Sequence, residues 1–362
     1  MAIVNSLLFD GQRGAILSDE EYWFLRRRKS FFGDNLHSLL EDAQAEAWNL
    51  EAVWGICGHP AFGAEVVSGI RIKIRDKEEE AKKKGIRKPP FAALRELGML
   101  GLETVREVVR RRENEKLRFL YGFEADDLLR GSFEADGKTW EIKQDAVKKA
   151  ALEILEGGNK AQMYKNIFSN FGILLGWDPE EGIAHFHVNA EIGVLSMVSG
   201  RFEAVGTGKY ASGMSFADFL GRHTLCRRRK GFDPVEGTYE LLLSAVVAAN
   251  SFHEVGGDFH MAVVDGTAKT HAARCRFIDE DRMRLATEAV RGSREGFVPR
   301  KAALETVEAA VYGDDPFERI EDRLFRAASD SKALERLLRG YKAGELAEVG
   351  TAAPAKGRGK KK

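Results

Sequence analysis

Ile3-Val4-Asn5-Ser6-Leu7-Leu8-Phe9-Asp10-Gly11, followed after Gln12-Arg13 by Gly14-Ala15-Ile16-Leu17-Ser18-Asp19, opens the chain. An apolar strand, a tight Asp-Gly turn and a second apolar strand ending on an acid make a hairpin pattern. The first strand begins almost at residue one, so the reading places the amino terminus inside the structure. One chemistry that needs this placement is a nucleophile on the first residue of a mature chain, with its own amine as base. Met1, or Ala2 once Met1 is removed, stands at that point and carries neither hydroxyl nor thiol.

The totals narrow the field. A chain of 362 residues has ample length for a buried core, as one large domain or two small ones. Its 56 basic residues balance 56 acidic ones, which argues against a nucleic-acid partner. Cys57, Cys226 and Cys275 are too widely spaced for a disulfide framework or a paired metal motif, and fit a reducing interior. The opening lacks a signal-peptide pattern and no run reaches membrane-spanning length, so the expectation is a cytoplasmic protein with no membrane contact.

Along the chain, 2–9 and 14–24 read as paired strands. A helix is expected over 35–47, with Leu36, Leu39, Leu40 and Ala43 on one face. Val53–Cys57 reads as a strand stopped by Gly58-His59-Pro60, and a helix follows from Ala64 to the break at Gly85 and Pro89-Pro90. Further helices are expected near 91–97, 101–117 and 145–156, with a small hairpin turning on Asp136-Gly137. Strands at 171–177, 183–188, 193–197 and 201–205 precede helices near 215–222 and 235–250. Phe259–Val264 and His271–Phe277 read as a strand pair, and helices continue to about Lys342. The opening SLLFDGQRGAILSD and the later ILLGWDPEEGIAHF echo one another. Hairpins with apolar faces alternating with helices imply two antiparallel sheets with helices outside, an α+β architecture.

The run Phe171–Ala211, FGILLGWDPEEGIAHFHVNAEIGVLSMVSGRFEAVGTGKYA, resembles the central segment of proteasome subunits. The first 33 residues resemble that family's opening, Val53–Gly58 its strand beside the substrate pocket, and Glu254-Val255-Gly256-Gly257 its closing turn. The order and spacing of these segments together carry the resemblance, which leaves 75–165 and everything after about 290 outside it. It implies the four-layer αββα sandwich of the N-terminal-nucleophile hydrolases over 1–290, with an insertion at about 75–165. A helical extension over 291–345 and a disordered Lys-rich tail over 346–362 complete the expected organisation.

Carried over by position, the resemblance makes Asp19 the acid that orients a lysine, and Lys29 that lysine, with Arg28 competing. Thr207 takes the place of the serine in the Gly-Ser-Gly turn, and Gly58 that of a pocket-edge glycine able to donate its N–H to an oxyanion. Two departures stand out. Met1 or Ala2 occupies the nucleophile position, and in the closing turn Val255 and Phe252 replace a serine and an acid, leaving His253 or Glu254 only with a shifted turn. The expected function is therefore a proteasome-like subunit without peptidase activity, acting in assembly or binding. The alternative is an active threonine-type peptidase or amidohydrolase whose nucleophile is processed or replaced. Ser6, mid-strand, would need cleavage to free its amine.

Each of these residues also has a plainer role. Asp19 suits a turn, Lys29 a solvated basic face after three arginines, and Thr207 a helix N-cap. Neither His185 with His187 nor Cys57 with His59 has a clear third ligand, so neither metal nor other cofactor is expected. The basic runs Arg26–Lys29 and Arg227–Lys230 suit a subunit contact better than nucleic acid. A homo-oligomer or ring is expected, with the 85–165 insertion available to a protein partner.

Overall fold

The computed structural model describes residues 3–339 except 25, 26, 31–34, 59, 87, 156–170, 190–192, 253 and 254; the side chains of 21–24, 27–30, 60 and 171 are likewise not described. Met1, Ala2, His253, Glu254 and the tail 346–362 thus lie outside the described residues.

β1 (Ile3–Leu8) and β2 (Arg13–Asp19) form the opening hairpin, and β3 (Glu21–Phe24) and β4 (Arg27–Ser30) a second one. β5 (Leu36–Ser38), α1 (Asp42–Trp48), β6 (Glu51–Cys57) and α2 (Pro60–Lys83) follow. The insertion contains α3 (Leu94–Tyr121), α4 (Ala125–Arg130), a hairpin of β7 (Ser132–Ala135) and β8 (Lys138–Glu141), and α5 (Asp145–Leu155). The chain then returns to the sheets with β9 (Phe171–Asp178), β10 (Gly182–Asn189), β11 (Val194–Met197) and β12 (Phe202–Gly206). α6 (Lys209–Gly221), α7 (Leu225–Lys230), α8 (Pro234–Ser251), β13 (Phe259–Asp265), α9 (His271–Arg274) and β14 (Cys275–Phe277) complete the sandwich. α10 (Glu280–Arg294), α11 (Arg300–Val311), α12 (Phe317–Ala327) and α13 (Ser331–Arg339) end the described chain.

One sheet runs β12-β1-β2-β13-β14 and the other β11-β10-β9-β6-β5, both antiparallel throughout. Period-two alternation explains why they stack. Val4, Ile16, Val205, Ala262 and Val264 from the first sheet meet Val53, Ile173, Leu175 and Ile183 from the second in one buried cluster. Gly55 of β6 allows the closest approach, because a Cβ there would lie 2.6 Å from Val4 Cγ1. The opposite face of the second sheet, with Trp54, Leu174 and Phe186, packs on Phe62, Val66 and Ile70 of α2 and Leu97 and Leu100 of α3. Across the first sheet, Asn5 of β1 bonds Ser212 of α6 and Ser244 of α8. Four layers result, helices–sheet–sheet–helices, as the sequence implies.

Several local expectations are corrected. The expected helix over 35–47 is instead strand β5 followed by the short α1, because Leu36 pairs with Gly55 and enters the cluster between the sheets. The two helices expected at 91–97 and 101–117 are one continuous α3. Its Gly98 and Gly101 do not break it but admit neighbours: a Cβ at Gly101 would stand 2.5 Å from the Trp54 ring. Asp178, buried in the β9–β10 turn, anchors its start by accepting from Leu94 N–H at 3.1 Å. Of His271–Phe277, only Cys275–Phe277 pairs with β13, while His271–Arg274 forms α9 and ties to Glu51.

The insertion has a small core of its own, Leu117, Phe123, Ala125, Ile142, Ala151 and Ile154. The chain divides into two compact units, Met1–Arg284 and Leu285–Lys362. Within the second, Arg339 closes the helices by donating to both oxygens of Glu288, at 2.8 and 2.6 Å, and to Glu321 at 2.6 Å.

Candidate functional site at the start of the first strand

The first described residue, Ile3, sits between two neighbouring strands of the same sheet. Its neighbour across one ladder is Gly206 of β12, and on the other side Val4 pairs with Ser18 of β2. Asp19, wholly buried at the end of β2, accepts from Ile3 N–H at 2.7 Å and from Gly256 N–H at 3.0 Å. One carboxylate therefore clamps the start of β1 to the loop before β13. A buried acceptor for two main-chain donors is the arrangement that makes such a carboxylate costly to remove.

Thr207 follows Gly206 directly. Its Oγ1 is buried and has no hydrogen-bond partner among the described residues. The reading of Thr207 as an N-cap is corrected, because α6 starts one residue later with Gly208 at the cap position. Gly208 leaves little room around Ile3: a Cβ there would come within 3.1 Å of both Ile3 Cδ1 and Val255 Cγ2. Val255 and Ile3 pack with Ala248 of α8. The closing turn thus presents an apolar side chain to β1, and its useful polar group is the Gly256 N–H. Gly256 holds φ 158° and Gly257 φ 75°, the latter in the left-handed region that glycine tolerates.

Asp19 and Thr207 accordingly flank the same end of β1. Lys29 lies on β4 with its main chain paired to Tyr22, and Arg28 pairs with Trp23; the side chains of both lie outside the described residues. Gly58 ends β6 in the other sheet with φ 137°. The glycine that meets β1 is Gly55, earlier on that strand, and its signal in the sequence was its place mid-strand among large apolar residues.

Ser6 and His185 form a second buried polar group, facing away from Asp19 toward the opposite sheet. Ser6 Oγ lies 2.7 Å from His185 Nδ1, and His185 Nε2 lies 2.9 Å from Gly200 O. A carbonyl only accepts, so Nε2 carries the ring proton and Nδ1 accepts from the Ser6 hydroxyl. Both residues are wholly buried, and burial pushes the His185 imidazole down to about 4, partly offset by the Gly200 carbonyl. The ring is therefore neutral at neutral pH. Ser6 has a base beside it but no solvent or free amine, and its pairing reads as a satisfied bridge between sheets.

No family model matches the sequence, and no curated protein matches it. Many solved structures are similar, two Anbu proteins among them. Anbu (ancestral beta-subunit) from Yersinia bercovieri aligns with TM-score 0.51 at 16% identity, over 82% of this chain and 94% of that one. The fold is proteasome-like. An Anbu (Gly-1) mutant from Hyphomicrobium sp. strain MC1 aligns with TM-score 0.48 at 14% identity, over 82% of this chain and 95% of that one. In this proteasome-like sandwich the Asp19–Thr207 corner lies where β1 begins, between β12 and β2. No helix among the described residues is long and apolar enough to cross a membrane.

Proposed function

We propose that this chain is a proteasome-related subunit of the N-terminal-nucleophile type that has lost peptidase chemistry and serves in assembly or binding. The observation that carries the reading is the Asp19–Thr207 corner around Ile3. It keeps a buried acid and a hydroxyl without a partner among the described residues beside the start of β1, while the two residues before Ile3 supply no hydroxyl or thiol. Asp19, Thr207 and Lys29 are its supporting residues, Gly58 its pocket-edge donor. Nucleophilic catalysis needs the attacking atom as well as its helpers, and here only helpers remain. Val255, packed on Ile3, fills with methyl groups the place the resemblance assigns to a serine.

In this role the protein self-associates, and the insertion over 85–165, with its separate core, offers the surface for a protein partner. Two measurements test the proposal. Mass spectrometry of the intact protein after treatment with a nucleophile-directed β-lactone probe is expected to show no adduct, and Ala2→Thr to restore labelling at that residue. Labelling of the unaltered protein at Ser6 or another internal residue would overturn it. Replacing Phe119, Leu129 and Trp140, exposed apolar residues of the insertion, by Ser is expected to leave self-association intact, as read by light scattering, while weakening partner capture.

A further inference from the structure

β13 is the strand between β2 and β14, and it carries His260 at a point where both neighbours are pinned. Glu20 N–H donates to Asp258 O at 3.2 Å on one side, and Ile278 N–H donates to Met261 O at 3.0 Å on the other. These two bonds bring Glu20, just past β2, and Glu280, the first residue of α10, toward His260. The His260 Nε2, one Glu20 oxygen and one Glu280 oxygen all lie within 4.8 Å of one another. His260 Nε2 is already bonded to Glu20 Oε1. His260 and Glu280 also line a cavity of about 720 Å³ together with Leu36, His37, Arg71 and Asp281.

A second observation concerns the same face of the sheet. Ser18 lies directly opposite His260 in the β2–β13 ladder, so their side chains share one face of the sheet. Ser18 is wholly buried, and its hydroxyl has no hydrogen-bond partner among the described residues. A buried hydroxyl without a partner is costly, and a water held beside it would satisfy it.

We propose that Glu20, His260 and Glu280 form a binding site for a first-row divalent transition ion such as Zn2+. One imidazole nitrogen and two carboxylates suit such an ion better than Mg2+ or Ca2+, which prefer all-oxygen sets. Three protein ligands leave a position open, and the cavity that His260 and Glu280 line has room for the water that completes it. The bond between His260 and Glu20 is what the same residues form when no metal is present. The site lies on the face of β2 opposite Asp19, so it is separate from the Asp19–Thr207 corner and stands whether or not that corner is catalytically dead.

The test is titration of the full-length, chelator-treated protein with ZnCl2 by calorimetry, with Co2+ absorption as a second readout. Binding of about one Zn2+ per chain is expected. Glu280 is exposed, so Glu280→Gln leaves the fold undisturbed; the loss of a ligand costs at least the roughly 10-fold known for outer-shell partners. His260→Asn abolishes binding and the Co2+ band, whereas His187→Asn, on β10, changes neither. Absence of Zn2+ binding by the unaltered protein, or equal binding by Glu280→Gln and His260→Asn, would sink the proposal. Loss of binding in His187→Asn would do the same, showing only adventitious histidine contacts.

Discussion

The two faces of β1 each carry a buried polar group, and they differ in one respect. On the face toward the second sheet, Ser6 and His185 satisfy each other, and the ring's other nitrogen donates to Gly200 O. At the strand's start, Asp19 satisfies two main-chain donors while Thr207 Oγ1 is left without a partner among the described residues. The first group has a hydroxyl and a base at catalytic distance yet is closed off. The second has no base–nucleophile pair among the described residues, yet keeps there a hydroxyl without a partner beside an anchored acid. Distance between a hydroxyl and an imidazole is therefore a weaker sign of chemistry than unsatisfied polar capacity at a strand end.

The largest effect is expected from Asp19→Ala, which orphans the Ile3 and Gly256 N–H groups together. Two buried unsatisfied donors cost about 3–5 kcal/mol, read as a lowered urea midpoint. A cost below about 1 kcal/mol would show that the clamp does not hold the start of β1.

Next comes the pH response of the Ser6–His185 face. The folded state holds His185 neutral down to about 4, whereas the unfolded chain takes up the proton near 6.5. Unfolding is then linked to proton uptake, so this group's contribution is fully present above pH 6.5 and is lost as pH falls toward 4. The loss amounts to about 3 kcal/mol. Urea titrations across that window check it, and His185→Phe should flatten the slope.

Ser6→Ala leaves His185 Nδ1 buried without a donor and is expected to cost about 1–2 kcal/mol with no change in electrophile labelling. The smallest effect belongs to Thr207→Val, which removes an unpartnered hydroxyl at nearly constant shape. It should be neutral or stabilise by up to about 1 kcal/mol. A loss of stability instead would show that the Thr207 hydroxyl contributes, and would draw the two faces of the comparison together.

Much of the sandwich was readable in one dimension because its determinants are local. Asp10-Gly11 and Asp178–Gly182 specify two hairpins, and the alternating apolar residues of β1, β2, β9 and β10 specify which face is buried. The errors fell where local preference yields to packing. Leu36, Leu39 and Leu40 have helical spacing, but Leu36 is needed as a knob between the sheets and the backbone extends to place it. Gly98 and Gly101 look like breaks, but tertiary contact with Leu195 and Trp54 rewards their missing side chains. The placement of Asp19 and Thr207 beside the start of β1 could be anticipated from chain order, whereas the Gly256 N–H, the Ser6–His185 bond and the Glu20–His260–Glu280 cluster could not. Each joins residues more than a hundred positions apart, and no spacing rule reaches that far.

Sequence alone determined the α+β class, the opening hairpin and the absence of a hydroxyl or thiol at residues 1 and 2, since turn chemistry, alternation and side-chain identity are properties of neighbours in the chain. Only the tertiary structure decided that Asp19 clamps Ile3 to Gly256 and that Ser6 is spent on His185. It also decided that three ligands converge around β13. Those outcomes depend on which strands lie side by side, and strand order follows from burying both faces of two sheets at once.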